Sequence, residues 1–271
     1  AQGLVENVQI LSSNLVQNGD FSEEGVQEVS NGSFSQEGSE LITNGDFSNG
    51  STDWTLDSGW SIQNGQAVCD GIGINSLQQN TPTIIGKTYK LTFDVISDSA
   101  SDFLVISTNF GDTYIQGSET IIGTNTFYIT PTNGTGIRFR VANGNTLSID
   151  NCSVREVGQD WTLGTGWSIA EDKAICDGTQ TSDTFLYQNI GSQSNKTIKY
   201  SFTVNNYVSG TLKTTYFGAT GTVVNSISAN GDYVFYVNVQ SGHNGNTGFK
   251  AEVGFIGSIT NISVKEVGQN W

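Results

Sequence analysis

The chain has 271 residues and a net charge of −15, from 11 Lys and Arg against 26 Asp and Glu. With 35% hydrophobic residues, 33 Gly and 2 Pro it is turn-rich and globular rather than disordered. The charge makes nucleic acid and anionic membranes poor partners, and no apolar run approaches the roughly 18 residues that membrane insertion requires.

Acids dominate the start: eleven precede Lys87, the first basic residue, and the remainder of the chain is only −4 (11 bases against 15 acids). There is no Met, which fits either a fragment or a processed N-terminus, most simply by removal of an initiator residue before Ala1. From residue 14 to 50 a short unit repeats. Leu15-Val16-Gln17-Asn18-Gly19-Asp20-Phe21 is followed by Val29-Ser30-Asn31-Gly32-Ser33-Phe34, then by Leu41-Ile42-Thr43-Asn44-Gly45-Asp46-Phe47. Gly19, Gly32 and Gly45 are evenly spaced, and Phe21, Phe34 and Phe47 keep the same spacing. Each unit predicts a short strand, an Asn-Gly turn and a Phe anchor. The third runs directly into a domain; the first two have no domain behind them.

From Asp53 the chain says one thing twice. Asp53-Trp54-Thr55-Leu56-Asp57-Ser58-Gly59-Trp60-Ser61-Ile62 returns as Asp160-Trp161-Thr162-Leu163-Gly164-Thr165-Gly166-Trp167-Ser168-Ile169. Ala67-Val68-Cys69-Asp70-Gly71 returns as Ala174-Ile175-Cys176-Asp177-Gly178. Asn151-Cys152-Ser153-Val154-Arg155-Glu156-Val157-Gly158-Gln159 returns as Asn261-Ile262-Ser263-Val264-Lys265-Glu266-Val267-Gly268-Gln269. Asn270-Trp271 stands where a third copy would open. So long a period suits a whole domain rather than a solenoid repeat.

Inside the copies the apolar period is 2: Tyr89, Leu91, Phe93 and Val95 share one face, and Ile198, Tyr200, Phe202 and Val204 repeat it. Thr126–Thr130 and Tyr233–Val239 are near-continuous β-formers, which predicts strands covered on both faces. No stretch of helical length keeps a 3.6 period. The expectation is all-β: two tandem antiparallel β-sandwiches of roughly eight to ten strands, at 40–159 and 160–271, behind an N-terminal strand-repeat arm at 1–39. The apolar phase slips near Asn151 and Asn261, which predicts a bulge in each last strand. Cys69 and Cys176 are equivalent, whereas Cys152 becomes Ile262, so the cysteines read as three free, buried thiols in apolar slots.

Leu41-Ile42-Thr43-Asn44-Gly45-Asp46-Phe47-Ser48, then Asp53-Trp54, with Ser148-Ile149-Asp150-Asn151-Cys152-Ser153-Val154 at the far end, resembles the jelly-roll carbohydrate-binding modules found beside bacterial xylanases and glucanases. The tandem Asp-Trp-Thr-Leu-Gly-Thr-Gly-Trp-Ser-Ile openings also resemble surface and fibre proteins of aquatic bacteriophages. The first resemblance implies jelly rolls, sugar binding and a structural calcium held by an acid after the Phe and an Asp of the last strand. Here the place of the acid after the Phe is taken by Ser48, and Asp150 becomes Thr260 in the second copy. Calcium is therefore expected, if anywhere, in the first domain at Asp46 or Asp150.

Nothing in the sequence assembles into an active site. The single His243 sits in a Gly-rich turn, without the ligands a zinc site needs. Asp70 and Asp177, each before Gly, read as turn residues. The repeated Trp54/Trp161 and Trp60/Trp167 read as core, which leaves Tyr114, Tyr187 and Tyr207, among polar neighbours, as candidates for exposed sugar-stacking rings. The reading is a non-enzymatic structural or attachment protein at a virion surface or outside the cell, a phage fibre or decoration. The alternative is a glycan-binding pair from a secreted glycoside hydrolase or adhesin. Because 41–47 already serves the first domain, the units carrying Phe21 and Phe34 are spare: either they dock on other copies of the chain or on a scaffold, or they fold back on domain 1 of the same chain or stay disordered.

Overall fold

The computed structural model describes residues 22–99, 102–218 and 222–268. In chain order the strands are β1 (Glu24–Gln27), β2 (Glu37–Glu40), β3 (Thr55–Leu56), β4 (Trp60–Gln63), β5 (Gln66–Cys69), β6 (Asn75–Gln79) and β7 (Thr88–Asp98). There follow β8 (Phe103–Ile106), β9 (Thr113–Gln116), β10 (Gly123–Ile129), β11 (Ile137–Val141), β12 (Leu147–Val157), β13 (Thr162–Leu163), β14 (Trp167–Ala170) and β15 (Lys173–Asp177). The last are β16 (Thr184–Asn189), β17 (Thr197–Ser209), β18 (Leu212–Gly218), β19 (Thr222–Ile227), β20 (Gly231–Asn238), β21 (His243–Ala251) and β22 (Ile256–Val267). One 3-10 turn, Gly117–Glu119, is the only helix among the described residues.

The strands form four antiparallel sheets around two apolar clusters. In sandwich 1, β10-β7-β12-β5-β4 faces β3-β6-β11-β8-β9. In sandwich 2, β14-β15-β22-β17-β20 faces β13-β16-β21-β18-β19. Successive strands β5 to β8 and β10 to β12 alternate between the two sheets, as β15 to β18 and β20 to β22 do, which is jelly-roll connectivity. Strand alternation places Tyr89, Leu91, Phe93 and Val95 inside sandwich 1, and Ile198, Tyr200, Phe202 and Val204 inside sandwich 2. The four repeated Trp are buried, and so are the three cysteines, all of them free. Burial pushes the Cys176 thiol up to about 11 and raises Cys69 and Cys152 as well.

Among the described residues each repeat supplies ten strands, β3–β12 and β13–β22, within the expected eight to ten, and the inserted β2 or β1 adds an eleventh to each sandwich. One expectation changes: β10 and β20, the continuous β-forming runs, are edge strands rather than strands covered on both faces. Val234 and Tyr236 of β20 are 52% and 66% exposed. A short unbroken run of β-formers has no period that separates a doubly covered strand from an edge.

The arm is where the chain departs most from expectation. β2 pairs with the end of β12, Arg155 opposite Glu40 and Val157 opposite Glu37, as domain 1's own strand should. β1 does the same on β22, Glu24 opposite Val267 and Gln27 opposite Lys265. The second unit, 29–34, is therefore not spare. It completes sandwich 2 of the same chain, and residues 24–34 belong to that sandwich rather than to a separate arm at 1–39. The first unit, with Phe21, lies outside the described residues.

Candidate functional site

The two strand-insertion grooves match contact by contact. In sandwich 1, Phe47 packs on Trp54 with ring centroids 5.2 Å apart, and the Trp54 indole Nε1–H donates to Asn44 O at 3.0 Å. In sandwich 2, Phe34 packs on Trp161 at 5.2 Å, and Trp161 donates to Asn31 O at 3.2 Å. Cys152 N donates to Gly45 O and Ile262 N to Gly32 O, both at 2.9 Å. These donors are free to do so because each last strand bulges one residue earlier, at Asn151 (φ 52°) and Asn261 (φ 55°). The predicted bulges are thus sockets for the Asn-Gly turns.

Side chains around the sockets repeat as well. Gln79 brackets Thr43, accepting from its N–H and donating to its carbonyl, each at 2.9 Å. Gln188 brackets Ser30 at 2.7 and 3.0 Å. Glu40 accepts from Val154 N at 2.8 Å, and Gln27, its counterpart in the preceding unit, accepts from Val264 N at 2.9 Å. Glu37 pairs with Lys90 and Arg155, Glu24 with Lys199 and Lys265. The two lysines hold the Glu24 carboxyl below its ordinary range.

The three candidate tyrosines neither converge nor stand exposed. Tyr114 lies on β9, Tyr187 on β16 and Tyr207 on β17. All three are half-buried. Tyr114 packs against the sandwich 1 core and its hydroxyl meets Gly134 O at 3.4 Å; burial raises it to about 12. Tyr207 leans on Phe255 and donates to Gly210 O at 3.1 Å. The hydroxyls of Tyr114 and Tyr207 thus meet the carbonyls of Gly134 and Gly210.

The exposed ring that sequence reasoning missed is Phe110, 60% exposed at the tip of the β8–β9 loop. It adopts φ 62°, uncommon for a bulky residue. The Arg138 guanidinium lies 3.9 Å from its ring centroid and donates to Thr108 O at 2.7 Å. Asp112 fixes the adjoining loop, accepting from the N–H groups of Thr132, Asn133 and Gly134 and from the Thr132 hydroxyl, and these bonds lower its pKa. One ring face is braced by the cation.

Of the two calcium candidates, Asp46 follows Gly45 of the turn and Asp150 precedes the bulge at Asn151. Asp46 is exposed and takes hydrogen bonds from Ser48 N and Oγ, which lower its pKa. Asp150 accepts from Asn151 N at 2.7 Å and is raised, first by burial and then by the charges of Asp94 and Asp46. Among the described residues no group of three or more His, Cys, Asp and Glu could hold a metal ion. In sandwich 2 the places of Asp46, Asp94 and Asp150 fall to Ser33, Thr203 and Thr260.

His243 is a structural residue. Nδ1 accepts from Gln193 N at 3.1 Å and Gly245 N at 3.3 Å, which leaves Nε2–H to donate to Asn246 O at 3.0 Å. Burial lowers its pKa. The folded state thus favours neutral imidazole, while the unfolded chain titrates near about 6.5. Stability from this group is full above that pH and is lost as the pH falls through it, at up to about 1.4 kcal/mol per pH unit. Between pH 7.5 and 5.5 the melting transition of sandwich 2 should drop relative to that of sandwich 1, which has no His. Equal shifts of both transitions would remove this role for His243.

The sockets and sheets define the class: tandem jelly-roll sandwiches, each completed by a strand unit from the N-terminal segment. No protein-family model matches the chain, and no curated protein matches it. Among solved structures, allantoicase from Saccharomyces cerevisiae aligns over 72% of this chain and 78% of its own at 8% identity, with a TM-score of 0.30. A fucolectin from striped bass (Morone saxatilis) serum covers 75% of this chain and 85% of its own at 9% identity and a TM-score of 0.27. An archaeal virus protein with a triple jelly-roll fold and turret assembly covers 79% and 58% at 14% identity and a TM-score of 0.19. Likenesses this loose carry no functional weight.

Proposed function

We propose that the chain is a non-enzymatic structural or attachment protein of an extracellular assembly, a phage virion fibre or decoration made of carbohydrate-binding-module-like sandwiches. The observation that supports this reading is a double tether. The chain passes between the sandwiches once at 35–36, from the inserted unit Val29–Phe34 into β2, and again at 158–161, from β12 towards β13. Two covalent crossings restrain twisting and bending far more than one linker, which suits a stiff rod rather than a binding module on a flexible leash. Nitrogen-15 relaxation is the test: the sandwiches should share one rotational correlation time. Two independent times would sink the structural reading.

A second reading, a glycan-binding pair, draws on Phe110. An exposed ring braced from behind by Arg138 is a platform on which a sugar face can stack. On a glycan array this reading expects binding that Phe110→Ala abolishes; the structural reading expects the two proteins to give the same profile.

A further inference from the structure

Among the described residues, nine of the eleven Lys and Arg form ion pairs, and Arg138 and Arg140 form none. Acids outnumber bases by more than two to one in this chain, so two unpaired cations on one strand call for a reason. Both lie on β11. Strand alternation turns them to the outer face while Ile137, Phe139 and Val141 fill the core. Two residues along one face of a strand stand about 7 Å apart. The acids that flank β3 and β9 are engaged by backbone instead. Asp57 accepts from Ser76 N, Asp112 from the N–H groups at 132–134, and Glu119 from Gln116 N.

Sandwich 2 shows the same place in a closed form. Strand register makes Lys250 the counterpart of Arg140, and Lys213 the counterpart of Leu104. By the same register Asp183 and Glu252 correspond to Ile74 and Ala142. Lys250 pairs with Asp183 at 2.7 Å and with Glu252 at 3.8 Å, and Glu252 also holds Lys213. Sandwich 1 has the cation but apolar side chains in place of both acids. Ile74 is 59% exposed. A single exposed Ile means little by itself, but this one stands where a carboxylate would neutralise Arg140.

The other cation adjoins the exposed ring. The Arg138 guanidinium braces Phe110 and spends a hydrogen bond on Thr108 O, which leaves other N–H groups of its fork for a ligand. A guanidinium binds a carboxylate or sulfate through two parallel hydrogen bonds, and an exposed ring takes the apolar face of a sugar. Ring, fork and second fork thus follow one another along β11.

We infer that this outer face of sandwich 1 binds an acidic sugar, with its carboxylate or sulfate on Arg140 and Arg138 and its ring stacked on Phe110. The inference rests on the glycan-binding reading of Phe110 and adds the charge of the ligand. The acidic remainder of the chain repels a long polyanion, so the fit is to a short acid-bearing stretch, held less firmly as salt rises.

The test is calorimetric titration of the full chain at low salt with trigalacturonate, a sulfated galactose trimer and the neutral galactose trimer. At least one acidic trimer should bind about tenfold or more tighter than the neutral one, and comparison of the two acidic arms tells carboxylate from sulfate. Arg140→Gln should remove the preference. So should Ile74→Asp combined with Ala142→Glu, which gives Arg140 the carboxylates that Lys250 has, and this pair should leave the melting temperature of sandwich 1 unchanged or raised. Neutral binding equal to acidic, lost with Phe110→Ala but unmoved by Arg140→Gln, would overturn the inference and leave the glycan reading standing. Failure of both acidic trimers to bind would also overturn it, while the array and Phe110→Ala would still decide the glycan reading. Equal binding of a glutamate tripeptide, or self-association of the chain that Arg140→Gln disperses, would overturn it too, because the anion would then come from protein.

Discussion

A chain that begins at Glu40 is expected to keep sandwich 1 and lose sandwich 2. The deletion removes β1 from the edge of β22 and takes Val29 and Phe34, 4% and 1% exposed, out of the sandwich 2 core. It also strips the Ile262 and Val264 N–H groups and the Trp161 indole of their acceptors. Removing one buried Phe costs about 3–5 kcal/mol, and a domain's whole stability is about 5–15 kcal/mol. Loss of a strand as well should exceed what sandwich 2 has in reserve. Calorimetry should show one transition in place of two, with Trp161 and Trp167 fluorescence shifted to the red. A peptide of residues 22–39 added in trans should restore the second transition. Two transitions at unchanged temperatures in the truncated chain would refute the insertion of 24–34 into sandwich 2. Such a result would return this segment to the role of a docking arm for other molecules.

The second large effect belongs to single methyl groups. Neither Gly45 nor Gly32 has the positive φ that makes glycine obligatory, but both sit against the backbone of the facing bulge. A Cβ on Gly45 would fall onto the carbonyl oxygen of Cys152, and one on Gly32 onto that of Ile262. Backbone on both sides cannot step aside as a flexible side chain can, so the turn must lift from its socket. Overpacking of this kind costs about 1–3 kcal/mol, occasionally more, and each kcal/mol is worth roughly 4–8 °C in a domain near this size. Gly45→Ala should lower only the transition of sandwich 1 and Gly32→Ala only that of sandwich 2. If Gly32→Ala instead lowered the first transition, the assignment of units to sandwiches would be wrong. Gly50, with φ 62° and open space around it, is a contrasting position where strain comes from the backbone alone.

Local pattern was enough for much of this. Period-2 apolar runs placed Leu91, Phe93, Tyr200 and Phe202 inside, since a strand has only two faces and water accepts one of them. The Cys152-to-Ile262 exchange identified an apolar slot before any coordinate did, and the phase slip at Asn151 and Asn261 located the bulges. Exposure of individual rings was not legible. Tyr114 and Tyr207 have polar neighbours along the chain and yet are partly covered by residues distant in sequence. Phe110 looks like core by type but is held outward by a loop whose geometry depends on Asp112 and Arg138.

The sequence by itself determined that there are two homologous all-β units and that a strand–turn–Phe unit recurs at even spacing before them, because repetition and periodicity are local properties of the chain. Only the tertiary structure decided which unit completes which sandwich. Matching Asn-Gly turns make the same backbone contacts in both sockets, so the repeated motif alone does not distinguish the partners. The choice rests on where the chain can physically reach. Val29–Phe34 joins Trp161, far along the chain, because the sandwich 1 groove is already filled by the adjoining Leu41–Phe47 and the ends of the two sandwiches lie side by side.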